Sequence, residues 1–129
     1  MGKNKNKVRV TSEASTGLKE YRFYVELYVF KDGGYYVAYC PSLDITDTGN
    51  TYHEAVANFY TKFQIYIDWC LEHGTLFDDL KKHGWKKQKN ELQPPTFRQQ
   101  MKAPQLSELM NSTASFERIT TPMHIATTV

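Results

Sequence analysis

Residues 21–39 read YRFYVELYVFKDGGYYVAY. Apolar side chains occupy every second position from Phe23 to Val29, and a period of two with many β-branched and aromatic residues is typical of a β-strand. The pair Gly33 and Gly34 then supplies the positive φ angles that a tight turn requires. The stretch therefore predicts a β-hairpin.

The signals of a capped helix follow the hairpin. Pro41 has no amide hydrogen for a ladder, so the second strand ends before it, and a brief third strand fits residues 45–48. Thr51 and Glu54 have the spacing of a capping box, in which each residue's side chain bonds the amide of the other. Apolar residues then recur at steps of three and four as far as Gly74, a glycine that can adopt the left-handed conformation that ends a helix. The pattern predicts one long amphipathic helix.

These elements predict an α+β fold, in which one long helix packs across a small antiparallel sheet of three to four strands. A short second helix is expected between Thr75 and Gly84. We divide the chain into a mobile basic arm (1–17), an α+β domain (18–85), a linker (86–104) and a C-terminal extension (105–129). The extension is expected to provide a strand that returns to the sheet or pairs with another subunit.

Composition narrows the class of protein. The chain has 129 residues, two cysteines and no apolar run long enough to span a bilayer, which favours a cytoplasmic protein without a disulfide framework or a secretion signal. Its charge is divided: residues 13–80 carry eleven acidic and four basic residues, whereas residues 1–12 and 81–129 carry net charges of +4 and +5. An acidic body with basic ends suits a basic partner more than the net charge of +2 suggests.

Three groups of side chains are candidates for chemistry. A metal site would combine Cys40, His53, Cys70 and His73, but their spacing lacks the close ligand pairs of structural zinc sites, so we expect buried structural cysteines and no metal. A magnesium-dependent nuclease would use the carboxylates of Glu26, Asp44 and Asp47. We expect no catalytic residue and no cofactor, because most neighbouring polar residues already have turn or capping roles.

A nucleic-acid site is the third candidate. Basic residues next to an aromatic ring can grip phosphates and stack a base, which points to Lys82, Trp85, Lys86 and Lys87. The competing interpretation is that the lysines complement the C-terminus of the second helix and otherwise lie in a solvated loop.

The aromatic second face of the hairpin predicts a partner interface. The long helix is expected to cover the Phe23–Val29 face, which leaves the opposite tyrosines either exposed to a partner or covered by the C-terminal segment. The predicted interface residues are Tyr24, Tyr28, Tyr36, Asp44 and Asp47.

Residues 21–71 resemble the HicB-like antitoxin family. The resemblance rests on a glycine-initiated second strand that ends in aromatic-x-Pro, followed by Gly-x-Thr-x-x-Glu-Ala at the start of a helix. The matching positions are Gly34, Tyr35, Pro41, Leu43, Gly49, Thr51, Glu54 and Ala55.

The resemblance implies a partial ribonuclease-H-like fold and a protein that neutralises HicA, a small basic ribonuclease toxin, by covering its active surface. It also implies a homodimer or homotetramer. The second helix departs from the family pattern. The segment beyond Pro104 departs as well, because it is short for the C-terminal DNA-binding domain that many family members carry.

The sequence thus gives three hypotheses for function. The first is an antitoxin-like protein without enzyme activity. The others are an RNA-binding module without a toxin partner and a divalent-metal-dependent nuclease.

Overall fold

The structure, a computed structural model, describes residues 8–13, 18–88 and 91–127. Its helices and strands are, in chain order, β1 (Val8–Glu13), β2 (Leu18–Asp32), β3 (Tyr35–Cys40), β4 (Ile45–Gly49), α1 (Tyr52–His73), α2 (Leu76–Lys82), β5 (Lys86–Gln88), β6 (Glu91–Gln93), α3 (Phe97–Gln100), α4 (Pro104–Asn111) and β7 (Phe116–Thr127).

The long strand β2 organises the sheet. β7 pairs with it antiparallel along residues 19–30, whereas β1 pairs with residues 18–22 and β3 with residues 28–32. Because β7 occupies one edge of β2 for this whole length, β1 and β3 lie end to end along the opposite edge. β4 extends the sheet beyond β3, and β6 and β5 extend it beyond β1.

The predicted α+β class is confirmed. β4, β3, β2 and β7 form a four-stranded antiparallel sheet, and α1 packs across it, with its closest contacts on β4 and β3. We call the sheet face beneath α1 the inner face and the opposite face the outer face.

The predicted hairpin turn and helix cap are both present, each with one correction: of the two turn glycines, only Gly33 has a positive φ. Gly33 has a φ of 65°, which glycine adopts without strain, and this angle forms the two-residue turn between β2 and β3. The Thr51 hydroxyl accepts the Glu54 amide at 3.0 Å. The Glu54 carboxylate, however, accepts the amide of Asn50 at 2.6 Å, so the expected return bond to the Thr51 amide is wrong by one residue.

The main core lies between α1 and the inner face. The odd-numbered side chains of β2 point into it, as the period of two predicts, and they meet the buried stripe of α1. The end of this core is closed by helix α2, by Trp85 in the following turn and by Met123 and Ile125 of β7. The members from α1 are Ala55, Phe59, Phe63, Ile67 and Cys70.

A second, smaller core covers half of the outer face. Helix α4 places Leu106 and Leu109 against Tyr28, Val37 and Tyr39, and all five side chains are buried. The C-terminal segment therefore contributes to both faces of the sheet, since α4 packs on the outer face and β7 joins the edge.

Several segments differ from the predicted organisation. Within the predicted mobile arm, residues 8–13 form β1, because they pair with both β2 and β6; residues 1–7 and 14–17 lie outside the described residues. The predicted linker 86–104 contains β5, β6 and α3. The extension 105–129 includes most of α4 and a strand that returns to the sheet, the first of the two expected arrangements. None of the helices in the described parts of the chain combines the length and apolarity that crossing a bilayer requires.

Candidate protein-binding surfaces

The structure separates the residues of the predicted interface. Tyr24 lies on the open half of the outer face and is 42% exposed, whereas Tyr28 is fully buried beneath α4. Tyr36 lies on the inner face, where its ring makes an edge contact with Tyr52. Tyr28 therefore cannot contact a partner without displacement of α4, and the other two tyrosines belong to different surfaces.

The three carboxylates of the nuclease hypothesis do not converge. Asp44 is exposed in the turn before β4 with a φ of 54°. Asp47 lies on the inner face of β4 and accepts the Thr48 amide at 2.8 Å, while Glu26 lies on the outer face and accepts the Thr120 hydroxyl. Within the described residues, no three His, Cys, Asp or Glu side chains form a group that could hold a metal ion.

The two cysteines are buried and unpaired. Burial raises the pKa of the Cys40 thiol to about 11, although its contact with the Ser42 hydroxyl partly opposes this effect. Burial also raises the pKa of the Cys70 thiol. Neither thiol has the low pKa and exposure that a nucleophilic cysteine needs.

The Cys40 thiol gives a pH-dependent prediction. An unfolded thiol ionises near pH 9, and the folded one near pH 11, so the contribution to stability is complete below pH 9 and is lost as the pH rises to about 11. We expect the stability advantage of wild type over Cys40→Ala to shrink by about 2 kcal/mol between pH 8.5 and pH 11. Urea unfolding of both proteins at several pH values measures this difference. A constant difference would contradict it.

The predicted nucleic-acid residues also divide. Lys82, Lys86 and Lys87 are exposed, but Trp85 is only 3% exposed and lies edge-on to Phe23 in the core. Its indole Nε1 donates to the Ser42 carbonyl at 2.6 Å. The Trp85 ring, which was expected to stack on a nucleobase, is therefore buried in the core. The exposed lysines have no exposed Trp85 ring beside them.

The open half of the outer face carries both signs of charge. A groove of about 250 Å³ is lined by residues that include Arg22, Tyr24, Pro122 and His124. Glu20 forms ion pairs with Arg22 at 3.0 Å and with His124 at 3.5 Å when that histidine is protonated. This surface is aromatic at its centre but its charges are largely paired, so it offers little attraction to a strongly basic partner.

The exposed side of α1 carries a different surface. Ile65 and Trp69 lie one turn apart and are 63% and 57% exposed, on the side of the helix away from the buried stripe. The ring of His73, one further turn along, stacks on Trp69 with 3.9 Å between centroids. Two large exposed apolar side chains at this spacing are neighbours on the helix surface, unlike the scattered exposed residues that are common on proteins.

Acidic side chains border this apolar pair. Asp68 and Glu72 project from the same side of α1 at the intervening helical positions. The Asp68 carboxylate accepts a hydrogen bond from the side-chain amide of Gln64 at 2.8 Å. From residue 63 to residue 80 the chain has four acidic residues and no lysine or arginine. We call Ile65, Asp68, Trp69 and Glu72 the Trp69 patch.

Sequence reasoning missed the Trp69 patch, although a signal was present. The buried stripe of α1 repeats at steps of three and four, and Ile65 and Trp69 fall outside it. An apolar residue that is out of phase with the core-facing stripe of a helix is an interface candidate.

Comparisons with protein-family models, curated proteins and solved structures found no match to this chain.

Proposed function

We propose that this protein is an antitoxin-like binding protein that captures a small basic ribonuclease toxin of the HicA type through the Trp69 patch. The exposed Ile65–Trp69 pair with its acidic border is the observation that carries the proposal. Tryptophan is among the residues most enriched at the energetic centres of protein interfaces, where it fills a pocket on the partner.

The charge around the patch suits a basic partner. Asp68 and Glu72 are exposed, and the second half of α1 has no lysine or arginine to neutralise them. Such a border accelerates encounter with a positively charged surface and favours it over acidic or neutral alternatives. A toxin that cleaves RNA needs a basic surface to hold phosphates, so a protein that covers that surface benefits from this arrangement.

The role of the motif residues is compatible with the HicB-like resemblance. Gly49 allows the close approach of the α1 N-terminus to β4, and Thr51 and Glu54 satisfy amides there. These residues fix the helix that carries the Trp69 patch against the antiparallel strands. Their contribution is to position the binding surface, because fold alone does not establish function.

Capture of the toxin is the direct test. We expect the wild-type chain, co-expressed with a small basic protein encoded next to its gene, to co-purify with it and to restore growth. The double variant Ile65→Ala/Trp69→Ala removes the apolar centre and is expected to weaken binding by at least about 100-fold, since each interface anchor contributes about 2 kcal/mol or more. Isothermal calorimetry measures this change.

Tyr24→Ala is the matched control, because it removes an exposed aromatic ring from the outer face and leaves the Trp69 patch intact. It is expected to bind as tightly as wild type. Failure of the wild type to co-purify with the neighbouring protein would overturn the proposed function. Loss of capture in Tyr24→Ala but not in the double variant would instead move the binding site to the outer face.

A further inference from the structure

From Phe116 to Ala126, the edge of β7 that faces away from β2 pairs with no strand among the described residues. β7 has twelve residues, each paired with β2, and within the described residues no other element packs extensively against it. A long unpaired edge is a template for another strand, and native proteins usually protect such edges.

The direction of the unused backbone groups follows from the hairpin. Asp32 and Tyr35 flank the two-residue turn, so they form a hydrogen-bonded pair, and the even-numbered residues of β2 direct their backbone groups toward β3. The odd-numbered residues of β2 therefore hydrogen-bond to β7. In β7 the odd-numbered residues direct their amides and carbonyls toward β2, and the even-numbered residues direct theirs toward the open edge.

The other two edges of the sheet are protected. β4 has five residues, and α1 covers its outward carbonyls: Lys62 Nζ donates to Thr46 and Asn58 Nδ2 to Thr48, both at 2.8 Å. β5 has three residues, and two of them are exposed lysines, a combination that discourages strand addition. β7, with twelve residues, presents a much longer edge than either of these strands.

Two exposed tyrosines of α1 lie beside the open edge. The Tyr52 hydroxyl donates to the Glu117 carboxylate at 2.7 Å, and the Tyr60 hydroxyl hydrogen-bonds the Thr121 hydroxyl. A groove of about 300 Å³, partly lined by Tyr52 and Phe116, continues from the start of the strand. Tyrosine is enriched at interfaces, and a strand added to β7 would bury both rings.

We propose that β7 pairs with β7 of a second copy of this chain, antiparallel about a twofold axis at Ile119. The inference is independent of the proposed function, because β7 and the Trp69 patch share no residue. Pairing of one strand with its own copy is isologous, so the same side chains must complement one another.

Three residues select this register. Pro122 has an outward position but no amide hydrogen, so an axis at residue 120 or beyond would bring it toward the middle of the new ladder. An axis at residue 117 or 118 would place Glu117 or Arg118 opposite the same residue of the partner, which is repulsive. With the axis at Ile119, Pro122 lies at the end, opposite the partner's Phe116, where its carbonyl still accepts a bond.

The selected register places no like charges directly opposite each other. Arg118 stands opposite the partner's Thr120, and in this chain the Thr120 hydroxyl donates to Glu26. Arg118 already lies 3.8 Å from the Glu26 carboxylate of its own chain, so each copy brings a paired arginine to the axis. The two Ile119 side chains meet at the close pair on the axis, and about six main-chain hydrogen bonds form across it.

The test compares two proline substitutions at outward positions. Thr120→Pro and His124→Pro each remove an amide that points away from β2, so both leave the β2–β7 ladder intact. Only Thr120 lies within the proposed ladder. We expect wild type and His124→Pro to be dimers in sedimentation velocity, and Thr120→Pro to be a monomer with at least about a 100-fold higher dissociation constant and an unchanged circular dichroism spectrum.

Each other outcome overturns the proposal. A monomeric wild type would leave the edge for an extended segment of a different protein. A dimeric Thr120→Pro would place the interface elsewhere, and a folded but monomeric His124→Pro would exclude the register. If Thr120→Pro does not fold, hydrogen exchange on wild type decides: the Arg118 and Thr120 amides should exchange more slowly as protein concentration rises, and fast exchange at every concentration would contradict the pairing.

Discussion

Gly49→Ala is expected to lower the free energy of unfolding by at least about 3 kcal/mol. A Cβ at this position would lie 2.4 Å from the Ala55 amide nitrogen and 2.8 Å from the Glu54 carbonyl carbon. Both are backbone atoms of the first turn of α1, so no side-chain rotation can relieve the overlap. The helix start must move away from β4, and with it the contacts of Ala55 and Phe59 in the core.

Gly34→Ala is the control for the loss of glycine itself. A Cβ at Gly34 would meet no atom within 4 Å, so we expect a change of less than about 0.5 kcal/mol. Urea denaturation followed by circular dichroism gives both values. If Gly49→Ala unfolds at the same urea concentration as Gly34→Ala, the close approach of α1 to β4 is wrong, and so is the structural role of the glycine in the Gly-x-Thr-x-x-Glu motif.

The parts of the fold that could be predicted are those fixed by neighbouring residues. The turn at Gly33, the cap at Thr51 and the stop at Gly74 depend on atoms within a few residues, and the structure has all three. The buried sides of β2 and α1 follow from periodicities of two and 3.6 residues, which the sequence displays directly.

The pairing of strands that are distant in the chain could not be predicted from neighbouring residues. Thr120 lies opposite Glu26 although 94 residues separate them, and nothing near either residue specifies the other. Strands β5 and β6 have three residues each and are mostly polar, so they show no periodicity. Such short strands form because neighbouring strands supply the ladder, which makes them dependent on the tertiary fold.

The candidate surfaces show the same division. Tyr24 and Tyr28 belong to one alternating pattern and share a face, as predicted, yet α4 buries Tyr28 and leaves Tyr24 exposed. The difference depends on where a helix about eighty residues downstream packs. The Trp69 patch, by contrast, follows from helical phase alone and was within reach of the sequence.

Trp85→Ala is expected to cost about 4 kcal/mol of stability, a core truncation that leaves a large cavity beside Phe23. Trp85→Phe retains most of the packing but removes the indole donor from the Ser42 carbonyl, which we expect to cost about 1–2 kcal/mol. Lys86→Ala changes an exposed side chain and should lie within about 0.5 kcal/mol of wild type. Thermal and urea unfolding rank the three variants.

The same variants discriminate between a core role and a stacking role for Trp85. A buried ring that contacts no ligand predicts that folded Trp85→Phe keeps whatever RNA affinity the wild type has, measured by fluorescence anisotropy at several salt concentrations. If the exposed lysines bind phosphate, Lys86→Ala and Lys87→Ala should weaken that affinity and reduce its salt dependence. Full stability combined with lost RNA affinity in Trp85→Phe would contradict the buried position and return the tryptophan to the nucleic-acid hypothesis. Reduced stability with unchanged RNA affinity in Trp85→Phe would show that the Trp85 ring stabilises the fold and does not stack on a nucleobase. The lysines around it would then be solvated surface residues.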